Sequence, residues 1–276
     1  MNGVNKMRKI NDVLQMGREI LAKSNIDTRE ARLLLAEALN VSATDLIKLT
    51  SCSDDTVAKY LVMLEKRVND IPFAYIVGHK EFMKLDFIVN ENVLIPRGDT
   101  EILVEEALKY KKNKILDMCT GSGCIAISLA YYLENEADVT AVDVSEAALN
   151  VAKQNANKNN VDVKFIHSDL FANVTEKYEM IVSNPPYIER EVIKNLQSEV
   201  QNEPVLALDG GLSGLDFYEK IIPKAKEHLE TNGILILEIG YDQAENVQKL
   251  MIENEYKNIR VVKDLSGNDR VVIGEI

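Results

Sequence analysis

Four residues carry the most chemistry in this chain: Asn184, Pro185, Pro186 and Tyr187. They follow the apolar run Met180-Ile181-Val182-Ser183, and so stand at the carboxyl end of a strand. In an open α/β sheet that edge receives ligands. Two of the chain's six prolines fall in this turn. Each fixes φ and removes an N–H donor, so the turn is stiff and its carbonyls are available as acceptors. Asn184 adds a side-chain amide oxygen and Tyr187 a flat aromatic face. Alkylation of a planar NH₂ group needs these parts. Such a nitrogen is a poor nucleophile because its lone pair is delocalised. Two acceptors, the Asn184 side-chain oxygen and the Pro185 carbonyl, can hold both N–H bonds, orient the nitrogen and stabilise its developing positive charge. Tyr187 can pack on the flat group, an amide or a base.

A second constellation lies upstream. Asp117-Met118-Cys119-Thr120-Gly121-Ser122-Gly123 separates an apolar strand from the following helix. Gly121 and Gly123 permit positive φ and close approach of a ligand to the N–H groups at the helix start. Asp143 closes the next strand, 20 residues after Gly123, where nucleotide-binding α/β folds place an acid that accepts from ribose hydroxyls. The dinucleotide pattern is matched only in part, with Ala126 at its third glycine, and no Gly-Lys-Ser/Thr follows, so a P-loop is excluded. The turn by itself fits NAD and S-adenosylmethionine equally. The Asn-Pro-Pro-Tyr segment moves the choice to S-adenosylmethionine. Asp169 ends a third strand, placed to accept from an adenine amino group with Leu170 against the ring.

These residues need a scaffold, and the chain supplies two kinds of pattern. Over the first 70 residues, Ile10, Leu14, Gly17 and Leu21, then Ala31, Leu34, Leu35 and Ala38, then Val57, Tyr60, Leu61, Leu64 and Val68 recur at helical spacing. Residues 1–72 are therefore expected to form a small helical bundle that serves recognition rather than chemistry. Residues 71–78 are apolar without a helical repeat. Met83, Leu85, Phe87 and Val89 then alternate with polar residues, so residues 73–98 read as a β-hairpin connector. From residue 99 to 276, strands at 114–118, 139–144, 163–167, 180–183 and 234–239 alternate with helices at 100–110, 124–133, 146–157, 215–229 and 242–253. Strands at 259–262 and 270–273 close the chain as a hairpin. The fold class is α/β: a seven-stranded, mostly parallel sheet covered on both faces.

Composition limits what this scaffold can serve. Acids outnumber bases 44 to 32, a net charge of −12, unlike a general nucleic-acid binder. The excess is confined to one half: the first 75 residues carry 11 bases and 10 acids, leaving −13 on residues 76–276. Three cysteines (Cys52, Cys119, Cys124) and three scattered histidines (His79, His167, His228) show no metal-ligand spacing, so no metal is expected. The amino terminus has no apolar run long enough for a leader, and no stretch approaches a membrane span. A cytoplasmic protein is expected.

On these motifs the chain resembles, along essentially its whole length, the HemK/PrmC family of release-factor glutamine methyltransferases. The residues that carry the resemblance include Pro72-Phe-Ala-Tyr-Ile-Val-Gly78, Val93-Leu-Ile-Pro-Arg97 with Thr100-Glu101, and Asp117 to Gly123. Asn184 to Tyr187, Glu203-Pro204 with Gly210-Gly211, Leu237-Glu-Ile-Gly240 and Asp269-Arg270 continue it. The resemblance implies a Rossmann-like, class I methyltransferase fold behind a helical domain. It implies methyl transfer from S-adenosylmethionine to the side-chain amide nitrogen (N5) of the Gly-Gly-Gln glutamine of peptide chain release factors. Cys119, Thr120, Gly121, Ser122, Gly123, Asp143, Asp169, Leu170 and Asn184 would meet the cofactor. Asn184, Pro185, Pro186 and Tyr187 would hold the substrate, with Asn184, Pro185 and Tyr187 catalytic. The partner would be a release factor, met by a monomer without nucleic acid or membrane. An adenine-N6 methyltransferase of DNA or RNA shares the Asn-Pro-Pro-Tyr logic and is the alternative. Cys119 stands where the family has a glycine. Cysteine tolerates positive φ poorly, so an ordinary backbone conformation, or a shifted turn, is expected there.

Overall fold

The structure, a computed structural model, describes residues 7–134 and 136–276. Residues 1–6, part of the segment read for a leader, lie outside the described residues. The chain divides into two compact units. One comprises the residues up to Gly78 together with Ser198–Asn202, the other His79–Gln197 and Glu203–Ile276. No helix among the described residues is long and apolar enough to cross a membrane.

The first unit is helical. A three-residue strand β1 (Met7–Lys9) leads into α1 (Ile10–Lys23), followed by α2 (Glu30–Leu39). Strand β2 (Ser51–Ser53) pairs antiparallel with β1, and α3 (Asp54–Val68) and α4 (Phe73–Val77) complete it. Ser53 caps α3 by accepting from the Thr56 N–H at 3.2 Å. Leu21, Leu34, Leu35, Tyr60 and Leu64 form the centre of its core. Gly17 lets the Tyr60 phenol cross α1, where an added Cβ would stand 1.8 Å from Tyr60 Oη. That hydroxyl donates to the Ala31 carbonyl at 2.9 Å. Two expectations change. Phe73–Val77 is helical, a single turn stopped by Gly78 at φ 84°, and too short to show a repeat. The buried face of α3 uses Met63 and Arg67, while Leu61 is exposed. Arg67 is tolerated there because Glu30 and Glu199 pair with it, each at 2.5 Å.

The second unit opens with the hairpin β3 (His79–Phe82) and β4 (Leu85–Ile88), turned at Met83 and Lys84, both with positive φ. Then follow α5 (Gly98–Leu108), β5 (Lys114–Met118), α6 (Cys124–Tyr132), β6 (Asp138–Asp143), α7 (Glu146–Lys158), β7 (Lys164–His167) and β8 (Tyr178–Ser183). Short helices α8 (Arg190–Ile193) and, in the first unit, α9 (Ser198–Gln201) precede α10 (Asp216–His228). Strand β9 (Leu229–Glu238), helix α11 (Ala244–Glu253) and strands β10 (Lys257–Lys263) and β11 (Asp269–Glu275) end the chain. The sheet runs β10-β11-β9-β8-β5-β6-β7, with β7, β6, β5, β8 and β9 parallel and β11 antiparallel to both neighbours. This is the expected seven-stranded sheet, with β11 inserted between β9 and β10.

Strand alternation builds two cores. Ile115, Met180, Val182, Ile234 and Ile236 face one way, with Leu103, Ile127 and Ala130. Leu116, Met118, Ile181, Leu235 and Leu237 face the other, with Tyr218, Ile222, Val247 and Met251. Covering both faces explains the nearly continuous apolar strands. The chain leaves β5 toward β6 and β7, then returns to place β8 on β5's other side. The carboxyl ends of β5 and β8 thus form the topological switch point, where a crevice opens.

Candidate active site

At that switch point the two constellations stand side by side. Met118 and Ser183 are register partners, and the Ser183 hydroxyl donates to the Met118 carbonyl at 2.7 Å. The next residue on each strand, Cys119 or Asn184, therefore opens the same crevice. It is an open, mostly apolar cleft. Cys119, Gly121, Asp143, Asp169, Leu170, Asn184 and Pro186 line it, with apolar walls from Leu206 and Phe217. Thr120, Ser122, Gly123, Pro185 and Tyr187 are not on that lining. Thr120, Ser122, Gly123 and Pro185 are buried beside it, whereas Tyr187 is half-buried.

The residues beside it shape the turn. Thr120 donates from its hydroxyl to the fully buried Asp117 carboxyl at 2.6 Å, and the Ala126 N–H joins it at 3.2 Å. Burial raises that carboxyl to about 7. The Thr120 N–H bonds the Val142 carbonyl and the Gly121 N–H bonds Asp143 Oδ2 at 2.8 Å, stitching the turn to β6. Asp143 Oδ1 accepts from the Ser145 N–H at 2.9 Å. Burial raises the Asp143 carboxyl above its usual range, against the pull of these N–H groups. Each oxygen keeps a further lone pair. Asn155, fully buried, bonds the Ile88 N–H and carbonyl and donates to the Ser122 carbonyl at 2.9 Å, bracing the turn against the hairpin.

Cys119 overturns its expectation: its φ is 63°, the left-handed region. The turn's bonds to Val142 and Asp143 hold the next two residues, and the conformation costs about 1–2 kcal/mol. Burial pushes the thiol upward, so it does not supply a reactive thiolate at neutral pH.

On the β8 side, Asn184 Nδ2 donates to Thr100 Oγ1 at 3.2 Å. That leaves the Asn184 carbonyl oxygen as the end able to accept from a ligand. Pro185 and Pro186 are buried. The Tyr187 carbonyl accepts from Gln243 Nε2 at 2.9 Å, and its phenol donates to Glu238 Oε1 at 3.4 Å. Gly210 and Gly214 lie directly on the Tyr187 backbone. An added Cβ would come within 2.7 Å of Tyr187 Cα from one and 2.5 Å of its carbonyl oxygen from the other. Arg97 pairs with the buried Glu203, which also accepts from the Ile95 N–H at 3.0 Å.

This arrangement can seat a nucleoside beside Asp143 and present a planar NH₂ group to Asn184. Comparison with known proteins shows the family. Residues 12–78 match the family model for the PrmC N-terminal domain and residues 97–209 that for the methyltransferase small domain. The release factor glutamine methyltransferase of Clostridium botulinum is 39% identical over 279 residues, spanning 95% of this chain and 98% of its own. The chain belongs to the release factor glutamine methyltransferase family. That of Thermodesulfovibrio yellowstonii is likewise 39% identical, over 93% of this chain and 95% of its own. A methyltransferase from Pyrococcus furiosus shares the fold, with a TM-score of 0.52 at 19% identity over 79% of this chain and 96% of that one.

For a release factor glutamine methyltransferase, sequence reasoning left four supporting residues without a role: Thr100, Asn155, Glu238 and Gln243. Thr100 and Glu238 stand in motifs legible in the chain, but their side-chain partners are distant in sequence. A buried acid in the apolar run 234–239 was the available signal for Glu238. For Asn155, on the amphipathic α7, no sequence signal distinguishes a strut from an exposed amide.

Proposed function

We propose that this enzyme transfers a methyl group from S-adenosylmethionine to the side-chain amide nitrogen (N5) of the glutamine in the Gly-Gly-Gln motif of peptide chain release factors. The observation that carries the reading is Asn184. It stands at the switch point with its NH₂ committed to Thr100 and its carbonyl left to accept. The residues present fit the cofactor. Gly121 has open space around its Cβ position, Asp143 offers a carboxyl to ribose hydroxyls, and Leu170 and Phe217 offer apolar surface for an adenine ring. Asp169 is exposed on the same lining, placed to accept from the adenine amino group. S-adenosylmethionine, when bound, supplies an electrophilic methyl group.

The protein's part is orientation. The Asn184 oxygen and the Pro185 carbonyl accept the two N–H bonds of the glutamine amide. This presents the nitrogen and stabilises its positive charge as the C–N bond forms and the methyl–sulfur bond breaks, after which one N–H proton leaves to water. Tyr187 packs against the amide plane, held by Glu238 and Gln243. The helical unit, residues 1–72 in this reading, serves recognition, and the hairpin connector leads to the methyltransferase domain. Full-length relatives named for release factor glutamine do not favour the adenine alternative. The test offers labelled S-adenosylmethionine with a release factor in one reaction and an adenine-containing oligonucleotide in another. Label on the release factor alone is expected; label on the oligonucleotide alone refutes the reading.

A further inference from the structure

Two of the four residues in the Asn-Pro-Pro-Tyr turn are prolines, so the backbone at 185 and 186 has no N–H with which to fix itself. The turn must be held through its carbonyls and its ends. At the far end the backbone is held by Gln243, 8% exposed where α11 begins. Gln243 Nε2 donates to the Tyr187 carbonyl at 2.9 Å and to the Gly214 carbonyl at 3.2 Å. Its Oε1 accepts from the Gly240 N–H at 2.9 Å. The Tyr218 hydroxyl, 2.9 Å from the Glu238 carbonyl, lies 3.4 Å from the same oxygen. One amide thus ties together the turn after β8, the loop before α10 and the corner after β9.

That amide can sit only one way round. A backbone carbonyl only accepts and a backbone N–H only donates, so a flipped amide would turn its oxygen to two carbonyls and its NH₂ to an N–H. These partners cannot reverse their polarity, and the position therefore requires a donor at one end and an acceptor at the other. Two glycines make room for it. A Cβ at Gly214 would stand 2.7 Å from Gln243 Nε2, and one at Gly240 would stand 2.9 Å from Oε1. Gln243 does not line the cleft, so any effect it has on a ligand passes through Tyr187.

We propose that Gln243 is a positioning residue for methyl transfer: by holding the Tyr187 carbonyl it fixes the Asn-Pro-Pro-Tyr turn in the geometry where the Pro185 carbonyl and the Tyr187 ring meet the substrate amide. This rests on the function proposed above and deepens it. Only Pro186 separates Pro185 from Tyr187, and its φ is locked, so a shift at Tyr187 is passed to the Pro185 carbonyl rather than absorbed. A misplacement of about 1 Å at a reacting group costs on the order of 100-fold in rate.

The test uses the full chain with an intact release factor, and rates are compared on variants that circular dichroism shows to be folded. Gln243→Met fills the space without donor or acceptor. Gln243→Glu keeps the shape but, when ionised, sets a carboxylate against two carbonyls. At about pH 8 each should lower kcat by roughly tenfold or more, while cofactor Kd stays within about twofold. Burial favours the protonated carboxyl, whose O–H can donate to the Tyr187 carbonyl. The kcat of Gln243→Glu relative to wild type should therefore rise severalfold from about pH 8 to about pH 6, while that of Gln243→Met stays flat. The groups facing this corner are the Tyr218 hydroxyl of α10, the Glu238 carboxyl beneath the Tyr187 phenol, Asp242 beside Gly240, and Arg270 of β11 on the Ile239 carbonyl. The wild type carries all of them, so the ratio cancels their titration. A Gln243→Met enzyme with wild-type kcat, a loss confined to KM or cofactor Kd, or a Gln243→Glu enzyme without acid recovery would overturn the proposal. If Gln243→Met does not fold, the acid recovery of Gln243→Glu decides. The ¹⁹F resonance of fluorotyrosine incorporated at position 187 gives a readout that needs no substrate. It should shift in Gln243→Met, and in Gln243→Glu it should return toward the wild-type position on acidification. If the wild type methylates no release factor, the function proposed above fails, and this resonance still decides whether Gln243 holds the turn. A resonance indifferent to both changes overturns it.

Discussion

Gly121 and Gly123 both have positive φ, 54° and 81°, yet their surroundings differ. A methyl group at Gly121 meets nothing within 4 Å, whereas one at Gly123 stands 2.8 Å from Ile127 Cδ1 and 3.0 Å from Ala152 Cβ. Alanine at either site takes on the left-handed penalty of about 1–2 kcal/mol, reduced by about 0.4–1 kcal/mol because the unfolded chain is also stiffer. Gly121→Ala should therefore cost about 1 kcal/mol. Gly123→Ala adds overpacking between α6 and α7, about 1–3 kcal/mol more, because Ala152 belongs to a packed helix and cannot swing aside. The expected loss is about 3 kcal/mol, so the two variants should differ by about 2 kcal/mol. Urea unfolding read by circular dichroism measures both, with unchanged slopes as the check that the unfolded state is the same. Both should weaken S-adenosylmethionine binding through the turn. Equal losses of stability, or a larger one at Gly121, would refute the reasoning that packing beneath the turn, and not backbone conformation alone, requires glycine at 123.

Gly210→Ala should push the Tyr187 backbone out of place, since the new methyl would meet Tyr187 Cα at 2.7 Å. Steady-state kinetics should show a loss of about tenfold or more in kcat with cofactor Kd nearly unchanged. Asp117, raised to about 7 by burial, keeps its proton in the folded state after the unfolded chain, near 3.9, has released it. Folding stability should accordingly fall as pH rises from about 4 through about 7. Asp117→Asn should flatten that fall in a pH series of unfolding curves, leaving the share due to Asp143 and Glu238, which burial also raises. The −13 carried by residues 76–276 should speed encounter with a basic face of a release factor, so kcat/KM on intact release factor should fall with added salt. A kcat/KM indifferent to ionic strength would remove that role.

Most of the sheet was legible because its strands are short, apolar and separated by helices, of which α7, α10 and α11 have clear amphipathic faces. The strand at 114–118 and the helix starts at 124 and 146 coincide with those observed. Elements held mainly by tertiary bonds were not legible. The β1–β2 ribbon has three residues a side, and its register is set by pairing across more than forty residues. Phe73–Val77 is one turn between Pro72 and Gly78. Cys119 adopts a conformation that its residue type disfavours because neighbours on β6 fix the turn around it. At the site, Cys119, Gly121, Asp143, Asp169, Leu170, Asn184 and Pro186 were readable as motifs, since the backbone itself brings them to the cleft, whereas its apolar walls Leu206 and Phe217 carried no such signal. The buried residues beside it were not readable either. Thr100 meets Asn184, and Glu238 meets the Tyr187 phenol, and only folding brings these partners together.

The most direct test of the central claim is tandem mass spectrometry of a release factor after reaction with S-adenosylmethionine, comparing wild type with Asn184→Ala. The account requires a single methyl group on the side-chain amide nitrogen of the Gly-Gly-Gln glutamine with the wild type. It requires almost none with a folded Asn184→Ala protein that still binds the cofactor. A methyl group on any other residue, or an Asn184→Ala enzyme that methylates the glutamine at the wild-type rate, would contradict it.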